Sequence, residues 1–279
     1  MHLADYVFLR EFNLLYFNLL LEHIKSDLES NAKVFFIEVS ALERTEIKSA
    51  LVNWVENIFE NEKNNLTLVI HNGDQIPDRN FYTFLVSNCL RVYSVNCHQN
   101  YSGVRALPIG LENIHLHRNG IGRQFAIRED NVFQLNSFQD EHSDVFSSFN
   151  ISTNLVERRI AKKELLKSGH VFTEPNLSRR KYQRSVRRSR FVISPPGNGS
   201  DCHRTWEAIY LGAVPVVLKR FISAELLELF PIIAVNRWEE FLELSSQEKS
   251  DLVSQFDGLE FPAMALDYWK VALRNTNEH

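Results

Sequence analysis

A histidine, an arginine and a glutamate follow two glycines in one short stretch of the second half of the chain. The glycines are Gly197 and Gly199, and the polar residues are His203, Arg204 and Glu207. Glycine permits positive φ angles and a close approach of the backbone to a ligand. A guanidinium, an imidazole and the free N–H groups at a helix start attract anions, and phosphate suits this set best. The stretch therefore predicts a phosphate site.

Glu207 adds a different kind of group to this stretch. It follows His203 by one helical turn, and its carboxylate would repel a phosphate in direct contact. We expect it instead to accept hydrogen bonds from hydroxyl groups slightly farther away, such as those of a ribose. Phosphate donors beside a sugar acceptor indicate a site for a nucleotide sugar. The alternative is that the glycines form only a turn and that His203 packs in the core.

The segments around these residues predict a strand, a helix and a second strand. The apolar runs 191–194 and 214–218 are typical strands, and the residues between them leave room for a loop and a helix of about three turns. Asp201 is predicted as the N-cap of this helix, because a carboxylate there accepts backbone N–H groups. The stretch is not a Walker P-loop, since Gly-Lys-Ser/Thr is missing. It is not a Rossmann fingerprint, since the third glycine is missing.

Strand-like and helix-like segments alternate along the whole chain. Such alternation predicts an α/β fold with parallel sheets and helices on both faces. The series pauses in the polar stretch 118–144 and then restarts, so we interpret the chain as two α/β lobes that bind ligands in a cleft at the carboxyl ends of their strands. Residues 1–25 are predicted to form an amphipathic helix on the first lobe. The other predicted strands include 33–40, 66–74, 145–151 and 170–175.

Composition and charge exclude several classes of protein. The 279 residues are 44% hydrophobic and 24% charged, which is ordinary for a globular protein, and no apolar run approaches the ~20 residues of a membrane span. The N-terminus lacks the features of a signal peptide. The net charge of −4 argues against a nucleic-acid-binding protein. Cys89, Cys97 and Cys202 form neither a CxxC pair nor a zinc-binding spacing, so we expect a reducing cytoplasm.

One segment departs from the acidic balance of the chain. Residues 178–190 concentrate basic side chains, which attract an anionic membrane surface or the phosphates of a ligand. The alternative is a solvated helix face. The basic residues are Arg179, Arg180, Lys181, Arg184, Arg187, Arg188 and Arg190.

The sequence "SPPGNGSDCHRTWEAIYLGAVPVV", residues 194–217, resembles the donor-binding signature of exostosin-like glycosyltransferases. That pattern reads Ser-Pro-x-Gly-x-Gly-x-Asp-x-x-Arg, then Trp-Glu-Ala, then Gly-x-x-Pro-Val-Val. Two further segments, "LPIGLEN" at 107–113 and "FSSFNISTNLVERR" at 146–159, are similar to bacterial, polysaccharide-type members of this family. The three segments cover about a sixth of the chain, in a plausible order.

The resemblance implies a GT-B fold, in which two Rossmann-like lobes with parallel sheets face a central cleft. The second lobe would hold a nucleotide sugar and the first lobe the acceptor. On this basis we predict an acceptor lobe at 1–135, a nucleotide-sugar lobe at 136–260 and a bracing helix at 261–279 that returns to the first lobe.

The resemblance also implies roles for individual residues. Arg204 and His203 would hold a diphosphate, or the single phosphate of a CMP-type donor, with help from the amides near Gly197 and Gly199. Glu207 would bind ribose, and Arg158 or Arg159 would add positive charge at the leaving group. No Asp-x-Asp motif occurs, so we expect no metal and no other cofactor. The remaining donor-binding candidates, from the same signature, are Ser194, Asn198 and Asp201.

Inverting sugar transfer needs a base that takes the proton of the acceptor hydroxyl. Asp74 is the first candidate, Glu112 the second, and His71 and Glu38 also end strands or enter loops. The alternative for Asp74 is that Asn-Gly-Asp is only a turn. Resemblance to exostosin-like enzymes favours inversion, and a retaining reaction would not need such a base.

These observations predict a glycosyltransferase that modifies a glycan or a lipid-linked glycan in surface polysaccharide synthesis. We expect it in the cytoplasm, peripheral to the inner face of the membrane, with residues 179–190 in contact with anionic lipid. Two alternatives stay open. One is a transferase of another group, such as pyruvyl or phosphoryl, and the other is a noncatalytic subunit that binds a nucleotide sugar.

Overall fold

The chain forms two compact units, each built on one parallel sheet. A computed structural model describes residues 4–28, 32–58, 65–88, 91–98, 101–112, 132–135 and 144–274. The first unit comprises Met1–Leu107 and Leu266–His279, and the second comprises Pro108–Ala265. All strand pairs within the two sheets are parallel. The predicted α/β class is therefore confirmed.

The first unit has a five-stranded sheet in the order β1-β2-β3-β4-β5. Its strands are β1 (Tyr6–Phe8), β2 (Lys33–Glu38), β3 (Leu66–His71), β4 (Arg91–Ser94) and β5 (Val104–Ala106). Its described helices are α1 (Leu14–Leu28), α2 (Thr45–Glu56), α3 (Arg79–Asn88) and α10 (Leu266–Arg274). Helices α4 to α9 belong to the second unit, which lies between α3 and α10 in the chain.

The central residues of β2 form a continuous apolar run, Val34 to Ile37, because both faces of the sheet are covered. In β2, Phe35 and Ile37 pack into the cluster that contains the buried residues of α1, α2 and α3. Val34 and Phe36 point to the opposite face, where they pack with Leu273 of α10. Alternate residues of one strand thus serve two cores.

The last helix, α10, is anchored to the first unit by apolar and polar contacts. The Tyr93 hydroxyl donates a hydrogen bond of 2.9 Å to the carbonyl of Ala272. Arg274 forms an ion pair of 3.0 Å with Asp5. The prediction that the C-terminal helix returns to the first lobe is confirmed.

Truncating the buried residue of α10 is expected to destabilise the protein. Leu273 is 5% exposed, and Leu273→Ala should lower the free energy of unfolding by about 2–4 kcal/mol, because it leaves a cavity against the sheet. Val271 is 61% exposed on the same helix, so Val271→Ala should change it by less than about 0.5 kcal/mol. Urea denaturation measures both variants. Equal losses of free energy of unfolding would show that α10 does not stabilise the first unit through burial of Leu273.

The second unit has a four-stranded sheet in the order β6-β7-β8-β9. Its strands are β6 (Val145–Phe146), β7 (Phe191–Ile193), β8 (Val214–Leu218) and β9 (Ile233–Val235). Its helices are α4 (Leu155–Lys167), α5 (Arg179–Val186), α6 (His203–Tyr210), α7 (Ala224–Leu229), α8 (Glu239–Leu242) and α9 (Ser246–Ser254). Alternation along β7 again divides the core, because Val192 packs with the buried residues of α5 and α6, whereas Phe191 contacts Phe241 of α8.

Two local predictions are wrong. The N-terminal segment was predicted as one helix, but Tyr6–Phe8 pairs with β2 as a parallel strand before α1 begins at Leu14. Residues 170–175 were predicted as a strand and form none. There the amide of Thr173 donates to the carbonyl of Ser147, and no ladder continues from it. Local residue type in each segment carries no information about the strand or loop that the segment will meet in the fold.

The division between the units also differs from the predicted boundary after residue 135. The first sheet ends at Ala106 in β5, and the chain then joins the second unit from Pro108. Phe133 supports this division, because its amide bonds to Leu259 and its ring contacts Phe261. Most of the predicted crossing at 118–144, and Cys89 in the first half, lie outside the described residues.

In the part of the chain that the structure describes, no helix combines the length and the apolar character that a membrane crossing requires.

Candidate functional site

The three sequence segments singled out above meet in the second unit, at the carboxyl edge of its sheet. His203 begins α6, and its Nδ1 lies 2.7 Å from the carbonyl oxygen of Gly110. A carbonyl can only accept, so Nδ1 carries the proton of this hydrogen bond. The amide of Ile109 donates to the carboxylate of Asp201 at 2.7 Å. Gly110 has a φ angle of +69°, a conformation that favours glycine at this turn.

Arg158 holds the loop that precedes α6. It is 5% exposed, and its Nε and Nη1 donate to the carbonyls of Pro196 and Asn150 at 2.8 and 2.7 Å. Asn154, the N-cap of α4, donates to the carbonyl of Gly197 at 2.9 Å. A side chain at Gly197 would begin 3.3 Å from the guanidinium of Arg158. The first turn of α4 therefore fixes the glycine loop.

Two guanidinium groups lie near one aromatic ring in this site. Arg204 and Arg158 are 5.7 and 5.9 Å from the ring centre of Phe149. Burial lowers the pKa of Arg158 to about 10, and the neighbouring charge of Arg204 contributes to this lowering. Nε of Arg204 is buried and has no hydrogen-bond partner. Two cations and an unpaired donor together form a place where an anion would be stabilised.

Glu207 faces the same site from the next turn of α6. It is 2% exposed, its Oε2 accepts a hydrogen bond of 2.8 Å from Tyr182, and its Oε1 is buried without a partner. Burial raises the pKa of the Glu207 carboxyl, and the charge of Glu112 raises it further, whereas Tyr182, Arg204 and His203 lower it. Buried polar atoms without partners are rare. An unpaired acceptor therefore stands one turn from the unpaired donor of Arg204.

The structure corrects two expectations about the glycine loop. Gly197 and Gly199 do not have positive φ angles, and Gly197 instead provides room for Arg158. Asp201 is not the N-cap, because that position belongs to Cys202. The Asp201 carboxylate accepts from the indole of Trp206 at 2.9 Å as well as from Ile109.

The remaining candidates from the signature have different environments. Ser194 is buried, and its hydroxyl lies 2.9 Å from Oγ1 of Thr205, so it links the end of β7 to α6. Asn198 is exposed at the tip of the loop. Arg159 is exposed, unlike its neighbour Arg158. Of these two arginines of α4, it is Arg158 whose guanidinium donates a hydrogen bond to the loop.

Asp201 gives the site a dependence on pH. Burial raises its pKa from 3.8 to about 6. As pH rises, the Asp201 carboxyl therefore ionises in the unfolded chain before it ionises in the folded protein. The stability that protonated Asp201 contributes is fully present below pH 3.8 and is lost as pH rises to about 6. We expect Asp201→Asn to remove this loss, so that the variant gains stability relative to the wild type between about pH 4 and pH 6. Urea denaturation across that range tests it, and a constant difference would contradict it.

Sequence reasoning did not find Tyr182. It lies in the arginine-rich helix α5, where it is the one aromatic residue among basic and polar neighbours. Its ring contacts Phe146 edge to face, and its hydroxyl bonds to Glu207. Burial is the first cause of a Tyr182 pKa far above its usual value, so the hydroxyl is the donor. An isolated aromatic in a charged helix is the signal that could have identified it.

The base candidates are divided between the two units. His71 ends β3, and Glu38 ends the neighbouring strand at the paired position. Glu38 already accepts bonds from the amide of Arg10 and the hydroxyl of Ser40. Asp74 is exposed in the turn after β3. Glu112 was predicted in the first lobe, but it belongs to the second unit, where its charge acts on Glu207.

The basic segment is less uniform than its composition suggested. Arg190 forms a two-point ion pair with Asp144, with distances of 2.6 and 2.9 Å. It therefore belongs to the fold rather than to a basic surface. The exposed basic residues of the segment are Arg180, Lys181, Arg184, Arg187 and Arg188.

Within the described ranges, no group of three or more His, Cys, Asp or Glu side chains is arranged to hold a metal ion.

Comparison with known proteins gives a partial match that includes this site. Residues 147–255 match the family model of the RXYLT1 C-terminal domain, a xylosyltransferase-related glycosyltransferase domain. The match covers less than half of the chain and includes α4, the glycine loop and α6. The chain thus contains a glycosyltransferase-like domain. A search of curated proteins found no match.

Two solved structures are similar to the chain at low identity. Both are described as an alpha-glucosyltransferase in complex with UDP and a 13-mer DNA. The one whose DNA contains a central A:G mismatch is 8% identical, with a TM-score of 0.32, over 92% of this chain and 77% of that chain. The one whose DNA contains an HMU base is 10% identical, with a TM-score of 0.31, over 91% and 80%.

Proposed function

We propose that this protein is a GT-B glycosyltransferase that transfers a sugar from a nucleotide-sugar donor to a glycan or lipid-linked glycan. The observation that carries the proposal is the pair of buried, unpaired atoms on α6, the Nε donor of Arg204 and the Oε1 acceptor of Glu207. Leaving such atoms unpaired costs free energy unless a ligand satisfies them. A ligand that satisfies both carries an anion and a hydroxyl group.

In this proposal the phosphates of the donor lie at the start of α6. Arg204, His203 and the backbone N–H groups of the glycine loop would neutralise their charge, with the helix dipole adding to the attraction. Glu207 would accept a hydrogen bond from a ribose hydroxyl through Oε1, while Tyr182 holds Oε2. Because Arg158 uses two nitrogens to hold the loop, it would act on the leaving group through its charge.

We propose further that leaving-group charge is neutralised by these groups and not by a metal ion. Excess EDTA is accordingly expected to leave the rate of sugar transfer unchanged. The control is the same assay with Mn²⁺ or Mg²⁺ restored. A rate that falls with EDTA and recovers with either ion would contradict metal independence.

For the reaction itself we propose inversion, with a base from the acceptor side. Asp74, in the turn after β3, is the first candidate. Glu112, located in the second unit, is the second, and His71, the last residue of β3, is a further candidate. Each is to be replaced singly, Asp74→Asn, His71→Gln and Glu112→Gln, and turnover measured with saturating donor. Unchanged turnover in all three variants would remove them as bases.

The proposed acceptor lies in surface polysaccharide synthesis, at the cytoplasmic face of a membrane. This part rests on the resemblance of residues 107–113 and 146–159 to bacterial, polysaccharide-type members of the exostosin-like family. Product analysis with lipid-linked and free glycan acceptors tests it.

The first test of the donor site is thermal stability of the pure protein with a panel of nucleotides and nucleotide sugars. A ligand of the native state raises the melting temperature by mass action. A rise with one nucleotide family would identify the base of the donor. Flat curves for the whole panel, with and without acceptor glycans, would contradict the nucleotide site and favour a transferase of a different group.

A further inference from the structure

The exposed side of α4 carries apolar and basic side chains together. Four large apolar residues are between 44% and 68% exposed, which is unusual for one helix of 13 residues. Their spacing of one, four and six residues places them on one broad side of the helix. The apolar residues are Leu155, Val156, Ile160 and Leu166, and the basic residues between them are Arg159, Lys163 and Lys167.

The acidic residues of α4 do not oppose this positive charge from the surface. Glu157 is paired with Arg220 at 2.5 Å, and its side chain is 15% exposed. Glu164 is 9% exposed at its side chain and forms ion pairs of 3.6 and 3.3 Å with Lys163 and Lys167, whose side chains are 78% and 61% exposed. One buried carboxylate thus faces three basic residues, so the surface is apolar with a net positive charge, which is the composition of helices that lie in a membrane interface.

This surface begins beside the proposed donor site. Asn154 caps α4 and holds the carbonyl of Gly197, so Leu155 and Val156 follow directly from the residue that contacts the loop before α6. The buried side of α4, with Ala161 and Leu165, packs into the second unit. The N-terminal end of the exposed side therefore lies next to the glycine loop.

We propose that the exposed side of α4 binds an anionic membrane surface. The four apolar side chains enter the interface between headgroups and acyl chains, and the three basic side chains contact lipid phosphates. Membrane contact here holds the donor site at the depth where a lipid-linked acceptor presents its sugar. Only this last consequence rests on the proposed function, because lipid binding by α4 requires neither donor nor acceptor.

The arginine-rich helix α5 is the competing membrane surface. It packs, with α6, on the side of the sheet that Val192 faces. Helix α4 packs against α8, which contacts Phe191 on the other side. The two helices thus cover opposite faces of the sheet, so variants in each can be tested separately.

The test is sedimentation of the full chain with vesicles of phosphatidylcholine alone and of an equimolar mixture with phosphatidylglycerol. We expect binding to the mixed vesicles that weakens with salt. Leu155→Glu with Ile160→Glu should abolish it. Arg159→Gln with Lys163→Gln and Lys167→Gln should weaken it by about tenfold or more. Val171→Glu is the matched control, because Val171 is 71% exposed but lies outside α4, and it should bind like the wild type.

Three outcomes would overturn the proposal. The first is a wild type that does not sediment with anionic vesicles. The second is binding that survives the α4 variants and is lost in Arg180→Glu with Arg184→Glu, which would assign the membrane surface to α5. The third is a wild-type dimer that Leu155→Glu with Ile160→Glu converts to monomers, since the α4 surface would then be an interface between copies. Melting temperatures and the nucleotide-induced shift, measured for every variant, separate unfolding and donor binding from lipid binding.

Discussion

Arg204→Ala is expected to weaken nucleotide-sugar binding by at least about tenfold, which corresponds to roughly 1.5 kcal/mol or more. Its Nε is buried without a partner, and its guanidinium is 5.7 Å from the ring centre of Phe149. A charge-assisted bond from a preformed, partly desolvated guanidinium to a phosphate is stronger than a neutral bond. Alanine removes the charge and the donor together. Titration calorimetry with the nucleotide that gives the largest thermal shift measures the effect.

Two control variants identify the cause of a loss of nucleotide-sugar affinity in Arg204→Ala. Arg204→Lys keeps the charge but not the planar set of donors, so it should bind more tightly than the alanine variant and less tightly than the wild type. Arg180→Ala removes an exposed arginine of α5 and should bind normally. Because Arg204 and Arg158 repel each other, loss of Arg204 relieves a repulsion, and the variant should remain folded. An unchanged affinity in Arg204→Ala would remove the phosphate role.

Arg158→Ala is expected to lower the free energy of unfolding by about 2–4 kcal/mol. Arg158 is 5% exposed and satisfies the carbonyls of Pro196 and Asn150. Alanine leaves both oxygens without this donor and opens a cavity beneath the glycine loop. The loop would lose its support, so nucleotide binding should fall as well. Urea denaturation gives the stability, and calorimetry gives the binding.

The next residue provides the matched control, because Arg159 has the same side chain on the same helix but is exposed. Arg159→Ala should change the free energy of unfolding by less than about 0.5 kcal/mol. In Arg158→Lys the charge is kept, but a lysine lacks the planar set of donors that bonds two carbonyls at once. The free energy of unfolding of this variant should therefore lie between those of the wild type and the alanine variant. A loss below about 1 kcal/mol in Arg158→Ala would show that the loop holds its position without this residue.

The sequence predicted the elements whose pattern is local. The strands Phe191–Ile193 and Val214–Leu218 and the helix between them were found because apolar runs, glycines and a short connection lie within one stretch. The residues of α6 could be placed on one side of a helix by spacing alone. The parallel sheets followed from the alternation of strands and helices.

The remaining parts of the site depend on contacts between distant segments. The Ile109–Glu112 segment joins the second unit through Asp201 and His203, about ninety residues later in the chain. Asp201 had the residue type of an N-cap, but the long-range bonds to Ile109 and Trp206 use its carboxylate. Adjacent arginines of the same type, Arg158 and Arg159, differ in burial and in hydrogen bonding to the loop. Local spacing gives no information about which one a later loop will cover.

The docking of α10 also has a consequence for synthesis of the protein. The first unit is discontinuous, because its sheet ends at Ala106 and its last helix begins at Leu266. A ribosome makes every residue of the second unit before it makes Leu273, which completes the core against Val34 and Phe36. During translation, the second unit can fold first while that face of the first sheet stays uncovered. The nascent chain therefore exposes an apolar sheet face until α10 has left the exit tunnel.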